Sequence, residues 1–333
     1  MHDEERNVEA PKMSFPEVLD QLLTGERVSI ALLFRLSDLA PTDMALLLAR
    51  WAETTDERRH EVARHMADLS ENNFQIDFAP LFEHFLHDEL ADVRLAALDG
   101  LWDSDSLTTI PKLLEMAQKD KVMAVRVGAT ATLGHYVLMS EWGQLPFEVS
   151  DQIVDTLLPL WEQASDVVAW QCAILETISS ANKPQIPMMI ENAYSSADES
   201  LQISALFAMG NSADERWLPI VLDEIESYQS EVRFEAVRAA GKIGDESAVP
   251  ALAEVLWDED LEVQLAAVYS LGQIGGAEAQ RLLMMLMDDP EAESLHDAVE
   301  DALEEINWAG ELNFDMLDWG GEWDEDEDEL VED

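Results

Sequence analysis

The stretch EVRFEAVRAAGKIGDESAVPALAEVLWDEDLEVQLAAVYSLGQIGG, residues 231–276, contains nearly the same phrase twice. VRFEAVRAAGKIG begins at Val232, and VQLAAVYSLGQIG begins at Val263, 31 residues later. Self-similarity at a fixed period of about 20–50 residues is the mark of a repeat architecture. The stretch therefore predicts a chain built from one repeated structural unit.

The phrase returns along most of the chain. We align its copies on the apolar residue that precedes the arginine of VRFEAV, and we call this residue the anchor. Consecutive anchors are 32, 43, 33, 31, 31 and 32 residues apart, and the long interval holds an insertion at 135–151. A weaker eighth copy lies near Arg58. The other seven anchors are Val93, Val125, Val168, Leu201, Val232, Val263 and Leu295.

Each copy is predicted to be a pair of helices, A and B. Proline is tolerated near a helix start, and it marks the start of five A helices, at Pro80, Pro111, Pro187, Pro219 and Pro250. Counting the anchor as position 1, B-helix positions 1, 5, 8, 9 and 12 are apolar or small, and they share one side of a 3.6-residue helix. Two helices cannot cover both of their faces, so neighbouring copies must stack into a solenoid.

Glycines recur near the ends of the predicted B helices. We expect them to end helices or to form tight turns before the next repeat, because glycine adopts left-handed conformations without strain. They are Gly210, Gly241, Gly272, Gly275 and Gly276.

At these phrases the chain resembles the HEAT-repeat family, in particular the short bacterial repeats also found in phycobilin lyases. The resemblance covers roughly residues 40–306 and rests on VRLAALDGL, VRVGATATLG, VRFEAVRAAGKIG and VQLAAVYSLGQIGG. The phrases FRLSDL, FAMGNSADERWLP and LGQIGG are similar to bacterial HEAT-repeat domain proteins. The resemblance implies an all-α fold, a right-handed α-α superhelix of about eight helical hairpins.

In that family an aspartate six residues before the arginine helps to tie successive repeats together. Asp88 with Arg94 and Asp120 with Arg126 match this pair. Elsewhere the pattern is broken, with Gln264 six residues after Asp258 and Ser227 six residues before Arg233. The resemblance therefore implies a partial ladder of Asp88, Arg94, Asp120 and Arg126.

The chain is strongly acidic, with 71 acids against 19 Lys and Arg and a formal net charge of −52. Nucleic-acid binding depends on clustered Lys and Arg side chains that contact phosphates, so we expect no direct nucleic-acid ligand. Twelve of the acids fall in residues 311–333, so the body is acidic as well. Such a surface fits either attraction to a basic partner or solubility in a salty habitat.

No motif predicts catalysis. Cys172, the one cysteine, falls in a column of alanines at B-helix position 5 and is expected to be buried. His84 and His87 could share a helical face, but they lack a third ligand. One HEAT-repeat enzyme, deoxyhypusine hydroxylase, holds iron on several His-Glu pairs. This chain has one such pair, His60-Glu61, and an incomplete match at His296-Asp297. We therefore predict no catalytic residue, no metal and no cofactor.

The B helices should line the concave face of the solenoid, and their positions 3 and 7 are unusually apolar. Positions four residues apart share one stripe, so stacked repeats would form an apolar groove suited to an amphipathic or basic segment. The alternative is that these side chains fill the space between repeats. The predicted groove residues are Trp170, Ile174, Ile203, Phe207, Phe234, Arg238, Leu265 and Tyr269.

The termini differ from the repeats. Residues 1–12 are expected to be loose, and 14–39 should form an N-terminal helical cap on a solenoid spanning 13–308. The tail at 309–333 mixes tryptophans with acids. It either caps the last repeat up to about Trp319, with disorder beyond 320, or acts as a linear motif that binds elsewhere.

The sequence thus favours a non-enzymatic, cytoplasmic interaction scaffold that binds a basic or amphipathic protein segment, as a monomer and without a membrane. The absence of basic leaders and of long apolar runs, and the single cysteine, support this location. A second interpretation is a HEAT-repeat enzyme of the lyase or oxidoreductase kind, and a third is an acidic mimic of nucleic acid.

Overall fold

The computed structural model describes residues 13–73 and 75–318. Within these residues every regular element is helical and no strand occurs. An all-α repeat fold is therefore confirmed. The chain divides into two compact units, Met1–Ala181 (unit 1) and Asn182–Asp333 (unit 2). The right-handed superhelix stays a prediction.

Unit 1 contains ten helices among the described residues, with short 3₁₀ turns between some of them. They are α1 Phe15–Thr24, α2 Ile30–Leu33, α3 Pro41–Trp51, α4 Asp56–Asn72, α5 Ala79–Phe85, α6 Ala91–Asp99, α7 Ile110–Lys119, α8 Met123–Glu141, α9 Phe147–Leu157 and α10 Val168–Ile178.

Unit 2 contains eight helices in its described part, and its B helices are α12, α14, α16 and α18. The bounds are α11 Ile186–Tyr194, α12 Glu199–Asn211, α13 Leu218–Glu224, α14 Ser230–Ile243, α15 Val249–Val255, α16 Leu261–Ile274, α17 Gly276–Met287 and α18 His296–Asp318. Helices α12, α14, α16 and α18 pack in sequence order, each against the next.

The A helices begin at the prolines that the sequence predicted as helix starts. The five prolines lie in the first turn of α5, α7, α11, α13 and α15, where the missing N–H removes no helical hydrogen bond. Aspartates cap several B helices: the Asp198 carboxylate accepts the Ser200 N–H, and the Asp260 carboxylate accepts the Glu262 N–H, each at 3.0 Å. Such a cap gives a first-turn N–H group a hydrogen-bond acceptor, which the helix itself does not provide there.

Three glycines bring neighbouring B helices into close contact. Gly210, Gly241 and Gly272 lie inside α12, α14 and α16, so the expectation that they end helices is wrong. A Cβ on Gly210 would lie 2.6 Å from Ala239 Cα, and one on Gly272 would lie 2.9 Å from Ala302 Cβ. The residue at position 10 of one B helix thus contacts the residue at position 8 of the next. Only glycine allows this close approach, because any side chain at position 10 would collide with the neighbouring helix.

The paired glycines after α16 do form a turn. Gly275 has φ of 67° and Gly276 has φ of 80°, values in the left-handed region that other residues rarely adopt. The sharp connection between α16 and α17 therefore follows from the sequence as predicted.

The ends of the chain are described only in part. The predicted cap at 14–39 holds α1, α2 and a 3₁₀ turn at Phe34–Leu36. Helix α18 continues past residue 308 to Asp318. The segment 1–12, which was predicted to be loose, and the tail from Trp319 onward lie outside the described residues. Among those described, no helix has the length and apolar character needed to cross a bilayer.

Candidate functional site: the ladder and the exposed B-helix face

Arginines at B-helix position 2 bind aspartates of the following repeat. These pairs are largely shielded from water, with arginine and aspartate side chains 12% exposed or less. The contacts join Arg59 Nη1 to Asp88 Oδ1 at 3.0 Å, Arg94 Nη2 to Asp120 Oδ1 at 2.8 Å, and Arg233 to both Asp258 oxygens at 2.7 and 2.8 Å.

Within one repeat, the side chain at position 2 donates to a backbone carbonyl six residues earlier. Arg94 donates to Asp88 O and Arg126 donates to Asp120 O, both at 2.8 Å. Asp88, Arg94, Asp120 and Arg126, which were named from the sequence, all take part in these contacts. The carboxylates of Asp88 and Asp120, however, bind the arginine of the preceding repeat. Sequence reasoning missed Arg59 and also the intact pair at Asp258, since it compared only residues six apart.

The Arg233–Asp258 pair shows the electrostatics of the ladder. Burial alone would raise the pKa of Asp258, but hydrogen bonds from the Arg233 guanidinium and the Asp260 N–H stabilise its charged form, and its pKa is lowered. The hydrogen bond with Asp258 likewise raises the pKa of Arg233 despite partial burial. Both groups are therefore charged at neutral pH, and the bidentate geometry fixes the spacing of α14 and the next repeat.

Two predicted groove residues lie in the core of unit 1. Trp170 is 3% exposed, and Ile174 is fully buried. Trp170 Nε1 donates to Thr130 Oγ1 on α8 at 3.2 Å, and the Arg126 guanidinium lies 5.4 Å from the centre of its ring. Trp170 packs between α8 and α10 and Ile174 is buried, so their assignment to an open groove is wrong.

The other six predicted groove residues remain at least partly accessible. They occupy positions 3 and 7 of three helices that pack in order in unit 2, and we call them the unit-2 face. Tyr269 is 47% exposed, and the Arg238 side chain is 42% exposed. The members of the unit-2 face are Ile203 and Phe207 on α12, Phe234 and Arg238 on α14, and Leu265 and Tyr269 on α16.

A cleft of about 310 Å³ opens between α14 and α16 on this face. Phe234, Arg238, Leu265 and Tyr269 line it together with Lys242, which the sequence reading missed. Lys242 lies one helical turn beyond Arg238, so the spacing of four residues that links positions 3 and 7 could have identified it. The structure thus brings four of the predicted residues to one cleft.

Cations lie over two of the three aromatic rings of the unit-2 face. The Arg238 guanidinium lies 5.5 Å from the centre of the Phe234 ring, and Lys242 Nζ lies 4.3 Å from that of Phe207. Arg238 also pairs with Glu235 at 3.2 Å. The face is therefore mixed aromatic and cationic, whereas the sequence predicted a mainly apolar groove with Arg238 among its members.

Exposed acids lie at the end of the unit-2 face formed by the N-termini of its three helices. Glu199, Glu231 and Glu262 are exposed in the first turns of α12, α14 and α16, three or four residues before position 3. They therefore lie on the same side of each helix as the aromatic residues. Carboxylates at helix N-termini also complement the helix dipole. The unit-2 face thus has an acidic end at the helix N-termini and a cationic end at Arg238 and Lys242.

The described residues contain no group of three or more His, Cys, Asp or Glu side chains placed to hold a metal ion. His87 Nδ1 lies 3.2 Å from the Glu83 carbonyl oxygen. Asp88, which follows His87, belongs to the ladder. Cys172 is buried on α10, as its position among alanines predicted.

Comparison with known proteins supports the repeat assignment. Residues 186–260 and 246–304 match the profile described as HEAT repeats. None of the curated proteins searched matches the chain.

Three solved structures resemble the chain at low identity. Escherichia coli YibA is 18% identical over 84% of this chain and 98% of its own, with a TM-score of 0.45. The CpcE–CpcF complex of phycocyanin lyase from Nostoc is 16% identical over 71% and 96%, with a TM-score of 0.44. Human deoxyhypusine hydroxylase is 15% identical over 88% and 96%, with a TM-score of 0.35. Likenesses with such TM-scores carry no argument about function.

The helical hairpins, the arginine–aspartate ladder and the matched profile agree with one another. Residues 186–304, which include α12, α14 and α16, are therefore similar to HEAT repeats.

Proposed function

We propose that the protein is an interaction scaffold that binds an amphipathic segment of another protein on the unit-2 face. The observation that carries the proposal is the partial exposure of six apolar, aromatic or cationic side chains on three neighbouring B helices. A repeat protein needs apolar side chains between its helices, but packing within unit 2 leaves Tyr269 47% exposed. Exposed aromatic and arginine side chains grouped around a cleft are typical of binding surfaces.

The proposed partner segment is basic at one end. Its apolar residues would contact Phe234, Leu265 and Tyr269, and its lysines or arginines would meet the acidic row at the helix N-termini. Opposite charges at the two ends would fix the direction in which the segment lies, because like charges brought together cost binding energy. We further propose that the chain acts as a monomer in the cytoplasm, and its single cysteine fits a reducing compartment.

Selection of a random peptide library on the immobilised full chain tests this function. We expect enriched peptides with apolar residues at helical spacing and with Lys or Arg near one end. Their affinity for a Leu265→Ala/Tyr269→Ala variant should fall by about tenfold or more, as expected when interface anchors are lost.

Tyr228→Ala is the matched control, because Tyr228 is 90% exposed but lies in the loop before α14. Peptides that bind all three proteins equally, or that show no basic or amphipathic pattern, would rule out the unit-2 face as the binding surface.

A further inference from the structure

Three of the six lysines of the chain fall within ten residues, at Lys112, Lys119 and Lys121. The last two lie six and four residues before the anchor Val125. No other of the seven aligned copies has Lys or Arg at either of these positions. The other copies are built without cations there, so the packing of repeats does not require Lys119 and Lys121.

The three lysines line a cleft of about 520 Å³ in unit 1, and we call it the unit-1 cleft. The cleft lies between the connection from α5 to α6 and the connection from α7 to α8. Apolar side chains of Leu86, Met116 and Val122 also line it. A cleft of this size and mixed character can hold a small organic molecule.

Four acids line the unit-1 cleft, and each of them is already paired with a cation. The pairs are Arg59 with Asp88 and with Glu89, each at 3.0 Å, Arg94 with Asp120 at 2.8 Å, and Lys112 with Glu115 at 3.2 Å. Among the described residues no acid pairs with Lys119 or Lys121, and both lysines are exposed. The cleft therefore presents two ammonium groups whose charge is not offset by an ion pair.

Phosphate is the anion that suits these two ammonium groups. A lysine binds phosphate as a point charge, whereas the planar guanidinium of arginine matches the two oxygens of a carboxylate. The chain as a whole is strongly acidic and would repel a long polyanion. A small anion is affected mainly by the cleft itself, because physiological salt screens exposed charges beyond about 8 Å.

We propose that the unit-1 cleft binds a small organic molecule through a diphosphate group. Lys119 and Lys121 contact the phosphate oxygens, and the organic part packs against Leu86, Met116 and Val122. The bound molecule thus bridges the connections of two successive repeats. The proposal does not depend on the unit-2 face.

Isothermal titration calorimetry on the full chain tests the site with methyl diphosphate, at low salt and without divalent metal ions. We expect one molecule to bind per chain. Citrate, which carries carboxylates in place of phosphates, should bind more weakly. Butyl diphosphate should bind several-fold more tightly than methyl diphosphate, because the two carry the same charge and only the longer chain reaches the apolar lining.

Variants make the result specific. Lys119→Ala/Lys121→Ala should weaken the binding of methyl diphosphate by about tenfold or more, since two charge-assisted contacts are lost. Its thermal unfolding should match that of the wild type, because both lysines are exposed. Arg216→Ala/Arg281→Ala is the matched control, because it removes two exposed cations and the same charge outside the cleft. This control should bind methyl diphosphate as the wild type does.

Three results would overturn the proposed diphosphate site. They are the absence of methyl diphosphate binding at millimolar concentration, an equal affinity for citrate, and an equal loss of affinity in the lysine and arginine variants. Equal affinities for the two diphosphates would contradict the contact with the apolar lining. The peptide selection involves other residues, in unit 2, so this proposal and the proposed function can fail separately.

Discussion

Position 3 and position 7 of the B helix lie in the core in α10 but at the surface in α16. Trp170 at position 3 of α10 is 3% exposed, whereas Tyr269 at position 7 of α16 is 47% exposed. The tryptophan hydrogen-bonds to Thr130 on the preceding B helix, and its ring lies under Arg126. Phe234 is covered by Arg238 of its own helix instead. The neighbouring repeat, and not the repeat position alone, decides whether such a side chain is core or surface.

The largest expected effect is that of Trp170→Ala. Removing a buried tryptophan leaves a cavity and should lower the free energy of unfolding by about 3–5 kcal/mol. Urea denaturation followed by circular dichroism measures the loss. Trp257→Ala is the control, because Trp257 is 56% exposed and should change stability by about 0.5 kcal/mol or less. Equal losses in the two variants would contradict the core assignment of Trp170.

Asp258→Asn should be the next most destabilising. The substitution leaves Arg233 largely buried without its anionic partner, which costs about 3 kcal/mol in the free energy of unfolding. The same denaturation experiment measures this loss. Asp301→Asn, an exposed acid on α18, should be close to neutral. Equal losses of unfolding free energy in the two variants would contradict a stabilising role of the ladder.

Gly210→Ala tests the close contact between α12 and α14. The new Cβ would lie 2.6 Å from the Ala239 backbone and should lower the free energy of unfolding by about 1–3 kcal/mol. Gly134→Ala on α8 is the matched control in unit 1, because its Cβ would lie 3.6 Å from Thr177, an ordinary contact. Alanine favours a helix over glycine, so this control should be neutral or slightly stabilising by thermal denaturation. A similar loss in both variants would refute the glycine contact.

The smallest effect is the dependence of the ladder on pH. The pKa of folded Asp258 lies below its ordinary value of 3.8, so the ladder contributes stability above that value and loses it as pH falls. The difference in unfolding free energy between the wild type and Asp258→Asn should therefore be full near pH 6 and shrink below about pH 4. Denaturation at a series of pH values checks this, and a difference that grows on acidification would give the opposite sign for the linkage.

Much of the fold could be predicted from the sequence. The 31-residue period, the prolines and the column of small residues at positions 5, 8 and 9 identify helical hairpins, since each follows from local helix geometry. The glycines of position 10 were misread because a local rule for helix ends was applied to them. Their role depends on the distance to the next B helix, as at Gly241 and Ser270, and no single repeat contains that distance.

The candidate site could be predicted less well. Periodicity identified the stripe of positions 3 and 7, but it could not separate Trp170 from Phe234, because burial depends on the partner across the helix interface. It also missed Lys242, whose significance comes from the ring of Phe207 on the neighbouring helix. The carboxylate of each ladder aspartate likewise finds its arginine in the preceding repeat, a pairing invisible to a comparison within one repeat.

Hydroxyl-radical footprinting tests most directly the claim that positions 3 and 7 of the B helix are core in α10 and form a binding surface in α14 and α16. The full chain would be labelled with and without a selected peptide, and oxidation of Trp170, Trp257 and Tyr269 would be compared. The account predicts that Trp257 and Tyr269 are oxidised readily, that Trp170 is protected, and that the peptide protects Tyr269 alone. Oxidation of Trp170 as fast as Trp257, or a Tyr269 that the peptide leaves unprotected, would contradict it.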